Sequence, residues 1–221
     1  DLVSLDIGSQ PELDSVPGAR EHSISVKPVS GLWQRWHQLS PILAGQNEPK
    51  SIGVVGGGAG SVELVLAMAH ALAGRTVNIT LFCGATEVLS GYNRGARSAV
   101  MSALQRHGIK LLVNSRVSAV NNRSLAIADG SSHRFDELFW CTGASASPWV
   151  AASGLGCDDR GFLQITDTLQ SVDDECVFGV GDIATQVNHP RPKAGVYAVR
   201  QGPVLAHNLR AKLLNKKLKQ H

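Results

Sequence analysis

The spacing of apolar residues changes in a regular order along the chain. Ser51–Val55 is a short apolar run of the kind a buried strand shows. A tight turn, Gly56–Gly60, interrupts it. From Ser61 to Ala73, the residues Val62, Val65, Leu66, Ala69 and Leu72 share one helical face, and Gly74 closes the helix. Val77–Phe82 predicts a second strand. Strand, helix, strand in this order predicts a right-handed parallel unit. A helix over 94–107 stops at Gly108, and Ile109–Val113 reads as the next strand. Arg116–Val120, Ser124–Ala128 and His133–Phe135 are short segments split by Asn121-Asn122 and Asp129-Gly130. Asn and Gly tolerate positive φ, so these turns predict a small antiparallel meander. Glu137–Cys141 follows as a final buried strand.

The flanks are less regular. Leu2–Ile7 alternates and halts at Gly8-Ser9, and a loop with Pro11, Pro17 and Gly18 follows. From Ser30, Leu32, Trp36, Leu39 and Leu43 recur at helical spacing. Trp33 and Trp36 read as packing residues against a neighbouring domain rather than as a binding box. Beyond residue 145, a short helix is expected near Trp149–Ser153, with strands near Phe162–Ile165 and Cys176–Val180. A long helix is expected from about Ala194 towards Leu214. The expected organisation is three blocks, 1–49, 50–145 and 146–221. The fold class is α/β, a Rossmann-like parallel sheet carrying an antiparallel β-meander.

Composition narrows the function classes. Of 221 residues, 43% are hydrophobic and 18% charged, as in ordinary globular chains. The net charge of +3 is too small to imply nucleic acid, and no apolar run reaches the roughly 20 residues that span a bilayer. The four cysteines, Cys83, Cys141, Cys157 and Cys176, form neither a C-x-x-C nor a C-x-x-x-x-C pair. They read as free thiols in a reducing compartment, with neither a zinc ribbon nor a redox dithiol. His189 reads as a loop residue, and Arg210, Lys212, Lys216, Lys217 and Lys219 as a solvated helix end. The chain lacks an initiator Met and opens as if mid-strand, so a trimmed piece of a longer protein is expected.

Chemistry concentrates at two strand ends. At Val54–Glu63, Gly56 takes the tight turn and Gly58, without a Cβ, lets a pyrophosphate approach the backbone. Ser61 stands at the third fingerprint position and is small enough for close helix–strand contact. The amides of Ala59, Gly60, Ser61 and Val62 point out of the helix N-terminus, where the dipole favours anions. The context of strand, turn, helix and strand makes this a dinucleotide site. The ribose-binding acid, expected about 20 residues on, falls at Cys83 and is missing. No basic residue follows at once, which favours NAD over NADP without excluding the latter. Glu63, placed in the first helical turn, reads either as a dipole-complementing surface acid or as a contact to the nicotinamide or its ribose. Thr142, Gly143 and Ala144 end an apolar strand with small residues, so a ligand can cross the sheet edge closely. Gly181 and Asp182 end another strand and place a carboxylate where a polyol hydroxyl would pair with it; an N-cap role suits Asp182 equally. Lys193 and Ala194 precede the long helix.

Together these segments resemble the pyridine nucleotide-disulfide oxidoreductase superfamily of two-dinucleotide-domain flavoproteins. Gly56–Glu63 is similar to its G-G-G-x-x-G-x-E fingerprint, with Ser61 the departure. Thr142-Gly143-Ala144 is similar to its A-T-G-type turn. Val177–Ala184 resembles its second flavin motif, in which the Asp contacts the ribityl chain. Pro192–Val196 with Gln201-Gly202 resembles the segment lying near the isoalloxazine. Leu5–Ser9, Val26–Val29, Ser90–Asn93 and His189–Gly195 resemble NADH dehydrogenase-like members found with or fused to selenide, water dikinase.

The resemblance implies an NAD(P)H domain flanked by partial FAD-domain segments. NAD(H) and, in the full-length parent, FAD would be the cofactors, with hydride passing from NAD(P)H to flavin and on to a quinone or other acceptor. The chain would keep nicotinamide binding but hold FAD poorly and be inactive alone. No side chain need act as a general acid or base, and Lys193 is the polar candidate near the flavin edge. Expected partners are NAD(P)H, FAD, the acceptor, a selenide, water dikinase domain and, in a homodimer, a second copy. A cytoplasmic location is expected, with a peripheral position at a membrane as the variant. The competing readings are a non-catalytic NAD(H) sensor and a fragment of a disulfide reductase.

Overall fold

The computed structural model describes residues 1–45 and 49–221. Residues 46–48, within the first sequence block, lie outside the described residues. In chain order the elements begin β1 (Val3–Leu5), α1 (Ala19–His22), β2 (Ile24–Ser25), α2 (Val29–Gly45), β3 (Lys50–Val55), α3 (Ala59–Ala71) and β4 (Val77–Phe82). They continue α4 (Arg94–Arg106), β5 (Lys110–Leu112), β6 (Val117–Asn121), β7 (Ser124–Ile127), β8 (Ser132–Arg134) and β9 (Glu137–Trp140). After these come α5 (Pro148–Ala152), β10 (Leu163–Ile165), β11 (Val177–Gly179), a 3-10 turn at Gly181–Ile183, β12 (Ala184–Gln186) and α6 (Gly195–Leu213). The chain divides into two compact units, Pro11–Gly143 and a second made of Asp1–Gln10 with Ala144–His221. Against the expected blocks 1–49, 50–145 and 146–221, the later boundary differs by two residues, while the chain from Pro11 onwards joins the first unit because α2 packs into its core.

That first unit is built on a parallel sheet of order β2-β9-β3-β4-β5. Alternation along each strand sorts the core into two layers. Ile52, Val54, Ile79, Leu81 and Phe139 face a cluster with Val62, Val65 and Met68 of α3, Leu39 and Leu43 of α2, and Leu104 of α4. Val55, Phe82, Leu138 and Trp140 face the opposite cluster, completed by Val117, Val120, Leu125 and Ile127 of the meander. Burying a sheet on both faces is what the continuous apolar runs anticipated. The sheet β6-β7-β8 is the expected antiparallel meander, with Val120 opposite Leu125 and Leu125 opposite His133. At its first turn the positive φ falls on Arg123 rather than on an Asn, at 62°, while the second has Gly130 at 90°.

α3 starts at Ala59, two residues before the expected start, and Met68 joins its buried face. Trp36 packs against the core as expected. Trp33 does not: it is 61% exposed, its ring edge-on to His37, and it lines an apolar groove of about 270 Å³ between α2 and α3.

The second unit pairs β1 with β11 and β10 with β12, both in parallel. Its core gathers Phe162, Leu163, Ile165, Leu169, Phe178 and Ile183 under α5 and α6. α6 begins after Ala194 as the pattern predicted. β12 was not expected: Ala184, Thr185 and Gln186 carry no apolar alternation, and pairing with β10 makes them a strand. No helix among the described residues is long and apolar enough to cross a membrane.

Candidate functional site

At the carboxyl edge of the parallel sheet, β3, β4 and β9 end together around the glycine turn. The Gly56 amide donates to Phe82 O at 2.9 Å, and the Cys141 amide to Val55 O at 2.9 Å. A Cβ on Gly56 would stand 2.8 Å from Ser61 Cβ and 3.1 Å from Cys141 Cβ, so the turn and α3 touch at that point. Ser61, buried, donates its hydroxyl to Gly58 O at 2.8 Å, and it thereby serves the close contact that a smaller fingerprint residue would make. Gly57, to which the sequence reading gave no separate role, faces Cys83. Gly58 caps α3 in extended backbone and, like Gly60, has nothing within 4 Å of where a Cβ would sit. Their open side is what a ligand approaching the backbone requires.

A crevice of about 480 Å³ opens along this edge, walled by Gly56, Gly57, Gly84, Ala85, Ser115–Ser118, Trp140 and Thr142, and by Glu12 and Val16 from the loop before α1. Trp140 Nε1 donates to Glu12 O at 2.8 Å, fixing that loop at the rim. A second hollow of about 230 Å³ shares Gly57, Gly84 and Ala85 and is bounded by Gly58, Cys83, Glu87 and Ser90–Tyr92. The Leu89 amide, donating to Gly57 O at 2.8 Å, ties the intervening loop to the glycine turn. Thr142 O accepts from the Glu12 amide at 3.2 Å, and Gly143, at φ 68°, leaves no room for a Cβ, which would lie 2.8 Å from Glu12 Cβ.

Three details of the sequence reading change here. Glu63 is exposed and lies in the second turn of α3, because the helix starts at Ala59; the first turn holds no acid, so the dipole role falls away. Cys83 stands at the end of β4 as expected, but its thiol is wholly buried and its Sγ contacts Glu87 O at 3.5 Å. The edge beside it is not without a base. Arg116 lies alongside Gly84, its Cα 3.6 Å and its Cβ 3.8 Å from where a Cβ on Gly84 would sit. The sequence gives no hint of this neighbour, since β5 and the loop after it bring Arg116 there. Glu87, the nearest downstream acid, is paired with Arg97. Burial pushes the Cys141 thiol up to about 12, so it stays protonated and inert at neutral pH. The four cysteines are all free, and the described residues contain no metal-holding cluster.

In the second unit, Gly181 and Asp182 follow β11. Asp182 sits inside the 3-10 turn, whose cap position is Val180, so it is no N-cap. Ser9 Oγ donates to Asp182 Oδ2 at 3.2 Å. The Gly181 amide donates to Gln201 Oε1 at 2.7 Å, and a Cβ on Gly181 would stand 3.1 Å from Ala198 Cβ, so α6 backs closely on this turn. Ser9 was not expected to hold the site, and Gln201 entered only through the resemblance, as part of the segment near the isoalloxazine; a polar Gln on the buried face of a helix is the residue-level signal for it. Ala144 O accepts from Arg160 at 2.7 Å. Lys193, beside Ala194, is tied to the fold: Nζ donates to Ala184 O at 2.7 Å and Thr185 Oγ1 at 3.0 Å, and lies 3.8 Å from the Phe162 ring centroid. Burial pulls its pKa down to about 8 against the opposing pull of Asp158 and Asp182.

A parallel sheet with a concave edge over a glycine turn and a helix N-terminus defines a nucleotide-binding α/β protein. The chain belongs to the pyridine nucleotide-disulphide oxidoreductase family, whose model matches residues 5–202. It is 27% identical over 187 residues to the type II NADH:quinone oxidoreductase of Haemophilus influenzae, covering 76% of this chain and 41% of that one. It spans about half, or less, of the length of the curated relatives it matches. Among solved structures, reduced Bacillus anthracis CoADR-RHD superposes with a TM-score of 0.76 at 21% identity, over 100% of this chain and 39% of that one. The water-forming NADH oxidase of Lactobacillus brevis, bound to NADH, gives 0.75 at 19% identity, over 100% and 48%. These structural likenesses establish the fold, a Rossmann-type α/β architecture.

Proposed function

We propose that this chain is the NAD(P)H-binding portion of an FAD-dependent NAD(P)H:acceptor oxidoreductase of the NADH dehydrogenase-like branch. Electrons would pass to a quinone or another acceptor, and a selenide, water dikinase module is the proposed functional partner. The observation that carries the reading is the glycine turn, where Gly58 leaves its backbone open to a ligand directly before the N-terminus of α3.

A dinucleotide fits the residues present. Its pyrophosphate meets the α3 N-terminus at Gly58–Ser61, where free amides and the helix dipole favour anions. Its two nucleoside halves run towards Thr142 on one side and Cys83–Gly84 on the other, the ends of the strands flanking β3. Thr142 and Gly143 keep the sheet edge low where the nicotinamide passes, and Glu63 is the proposed polar contact to it. In the second unit, Asp182, held by Ser9, and Gly181, held by Gln201, suit the polyol chain of a flavin, with Lys193 and Ala194 at the start of α6 as neighbours. A bound flavin supplies the electron transfer; this chain's residues bind, orient and exclude water. The proposed setting is the cytoplasm.

The test is a fluorescence titration of NADH and NADPH with the purified chain and with Gly58→Val. Because a Cβ at position 58 meets nothing within 4 Å, the variant keeps its fold, seen by circular dichroism. Binding is expected to fall by roughly tenfold or more, since the side chain fills the ground of the pyrophosphate. Unchanged affinity in Gly58→Val would refute the site.

A further inference from the structure

Resting on the dinucleotide reading above, we infer that Arg116 turns the adenosine end of the crevice into a phosphate subsite, so that NADPH is the favoured nicotinamide cofactor. Three observations converge. First, the position at the end of the second strand of such a unit chooses the cofactor: an acid there pairs with the 2′-hydroxyl of NAD(H) and repels the 2′-phosphate of NADP(H), which an Arg nearby accommodates instead. Here that position is Cys83, whose thiol is wholly buried and carries no carboxylate.

Second, Arg116 stands beside the next residue, Gly84, with its Cα 3.6 Å from where a Cβ of Gly84 would lie. It is the cation among the described residues walling the larger hollow, and it is exposed at that wall. Gly84 has no side chain to stand between Arg116 and a ligand. The backbone around Arg116 is well anchored: the Ser115 amide donates to Cys83 O at 2.8 Å, and Arg116 O accepts from Ala128 at 2.9 Å. The guanidinium therefore has a fixed root and, among the described residues, no carboxylate partner. Arg97, by contrast, is already engaged with Glu87.

Third, the charges in the crevice are separated. The acid on its wall is Glu12, which lies against Gly143 beyond the end of β9. β9 and β4 flank β3, so Glu12 and Arg116 sit about two strand spacings apart, on the order of 10 Å. A phosphate beside Gly84 would thus lie within the reach of the Arg116 side chain without a neighbouring carboxylate on that wall, and a guanidinium can pair with it in bidentate fashion.

The experiment measures dissociation constants of the purified chain for NADPH, NADH, 2′,5′-ADP and 5′-ADP, in the wild type and in Arg116→Gln. Arg116 is exposed, so the substitution leaves the core untouched, and melting curves verify it. The expected result is about tenfold preference for each 2′-phosphorylated ligand over its partner, the yield of one charge-assisted pair. In Arg116→Gln the ratio of the two constants should fall towards one, and Arg116→Lys should recover part of it. Equal affinity for NADH and NADPH, or a preference unmoved by Arg116→Gln, would overturn the inference and leave the dinucleotide site standing. Binding of none of the four ligands would overturn both.

Discussion

Gly57 lies directly against Cys83: a Cβ placed on the glycine would stand 2.5 Å from Cys83 Sγ. The glycine turn and the end of β4 are therefore packed to contact, and the turn's shape depends on the thiol behind it. Gly57→Ala forces an overlap into a wholly buried neighbour, with an expected destabilisation of about 2 kcal/mol. Removing the sulfur relieves it, because the Cβ of residue 83 is then 3.7 Å away, an ordinary contact. The double variant Gly57→Ala/Cys83→Ala should recover a large part of the stability lost in Gly57→Ala, as read by urea melts. Additive losses in the double-mutant cycle would contradict this packing.

Asp136 joins the starts of two neighbouring strands. Its carboxylate accepts from the Ser51 amide at 2.8 Å and the Ser51 hydroxyl at 2.9 Å, with Lys50 Nζ at 3.7 Å. Burial works to raise its pKa, but the Ser51 bonds and the Lys50 charge outweigh burial and hold it below the usual 3.8. A depressed carboxyl contributes stability that is complete above its unfolded pKa and is lost as pH falls through the folded one. Asp136→Asn should lower stability by about 1 to 2 kcal/mol at neutral pH. The gap between variant and wild type should narrow as pH drops below 3.8. Acid titration of unfolding by circular dichroism reads both; a gap constant with pH contradicts the assignment.

These contacts mark the limit of what the residue pattern could announce. β3, α3 and β4 were legible because a sheet buried on both faces writes unbroken apolar runs and its glycine turn sits where a strand changes to a helix. β2 and β12 were not, since Ile24-Ser25 and Ala184–Gln186 are strands through their partners, β9 and β10, rather than through any periodicity of their own. The glycine turn was legible as a motif, yet its tightest position, Gly57, takes its constraint from Cys83 on another strand. Arg116 was invisible for the same reason: only the pairing of β4 with β5 brings it beside Gly84. Glu63 shows the reverse error, in which a two-residue shift of a helix start moved an acid out of the first turn.

Asn208, wholly buried on α6, clamps the end of the chain. Its amide donates to Thr168 O and Lys219 O, and its carbonyl accepts from the Lys219 amide, each at 2.8 Å. Asn208→Leu keeps the number and branching of the side-chain heavy atoms, enlarges the group at a wholly buried position and removes all three bonds, at a cost of about 3 kcal/mol. The expected local consequence is release of residues 216–221, seen as faster trypsin cleavage at Lys216 and Lys217. Equal cleavage rates in the two proteins, measured under conditions where both remain folded, would show that the tail is held by other contacts.

Lys193 makes a prediction of the opposite pH sense to Asp136. Burial lowers its folded pKa to about 8 from an ordinary 10.5, despite the attraction of Asp158 and Asp182. Between those two values the unfolded chain keeps a proton that the folded chain has shed. Raising pH through that window therefore favours folding. Lys193→Met keeps a flexible unbranched side chain at this position but cannot titrate. The difference in unfolding free energy, wild type minus Lys193→Met, should rise from about pH 8 to 10.5 and level off above it. The other titratable groups are common to both proteins and cancel in the difference. Parallel stability curves across the window would mean that Nζ stays charged in the fold, held by Ala184 O and Thr185 Oγ1 strongly enough to offset its burial.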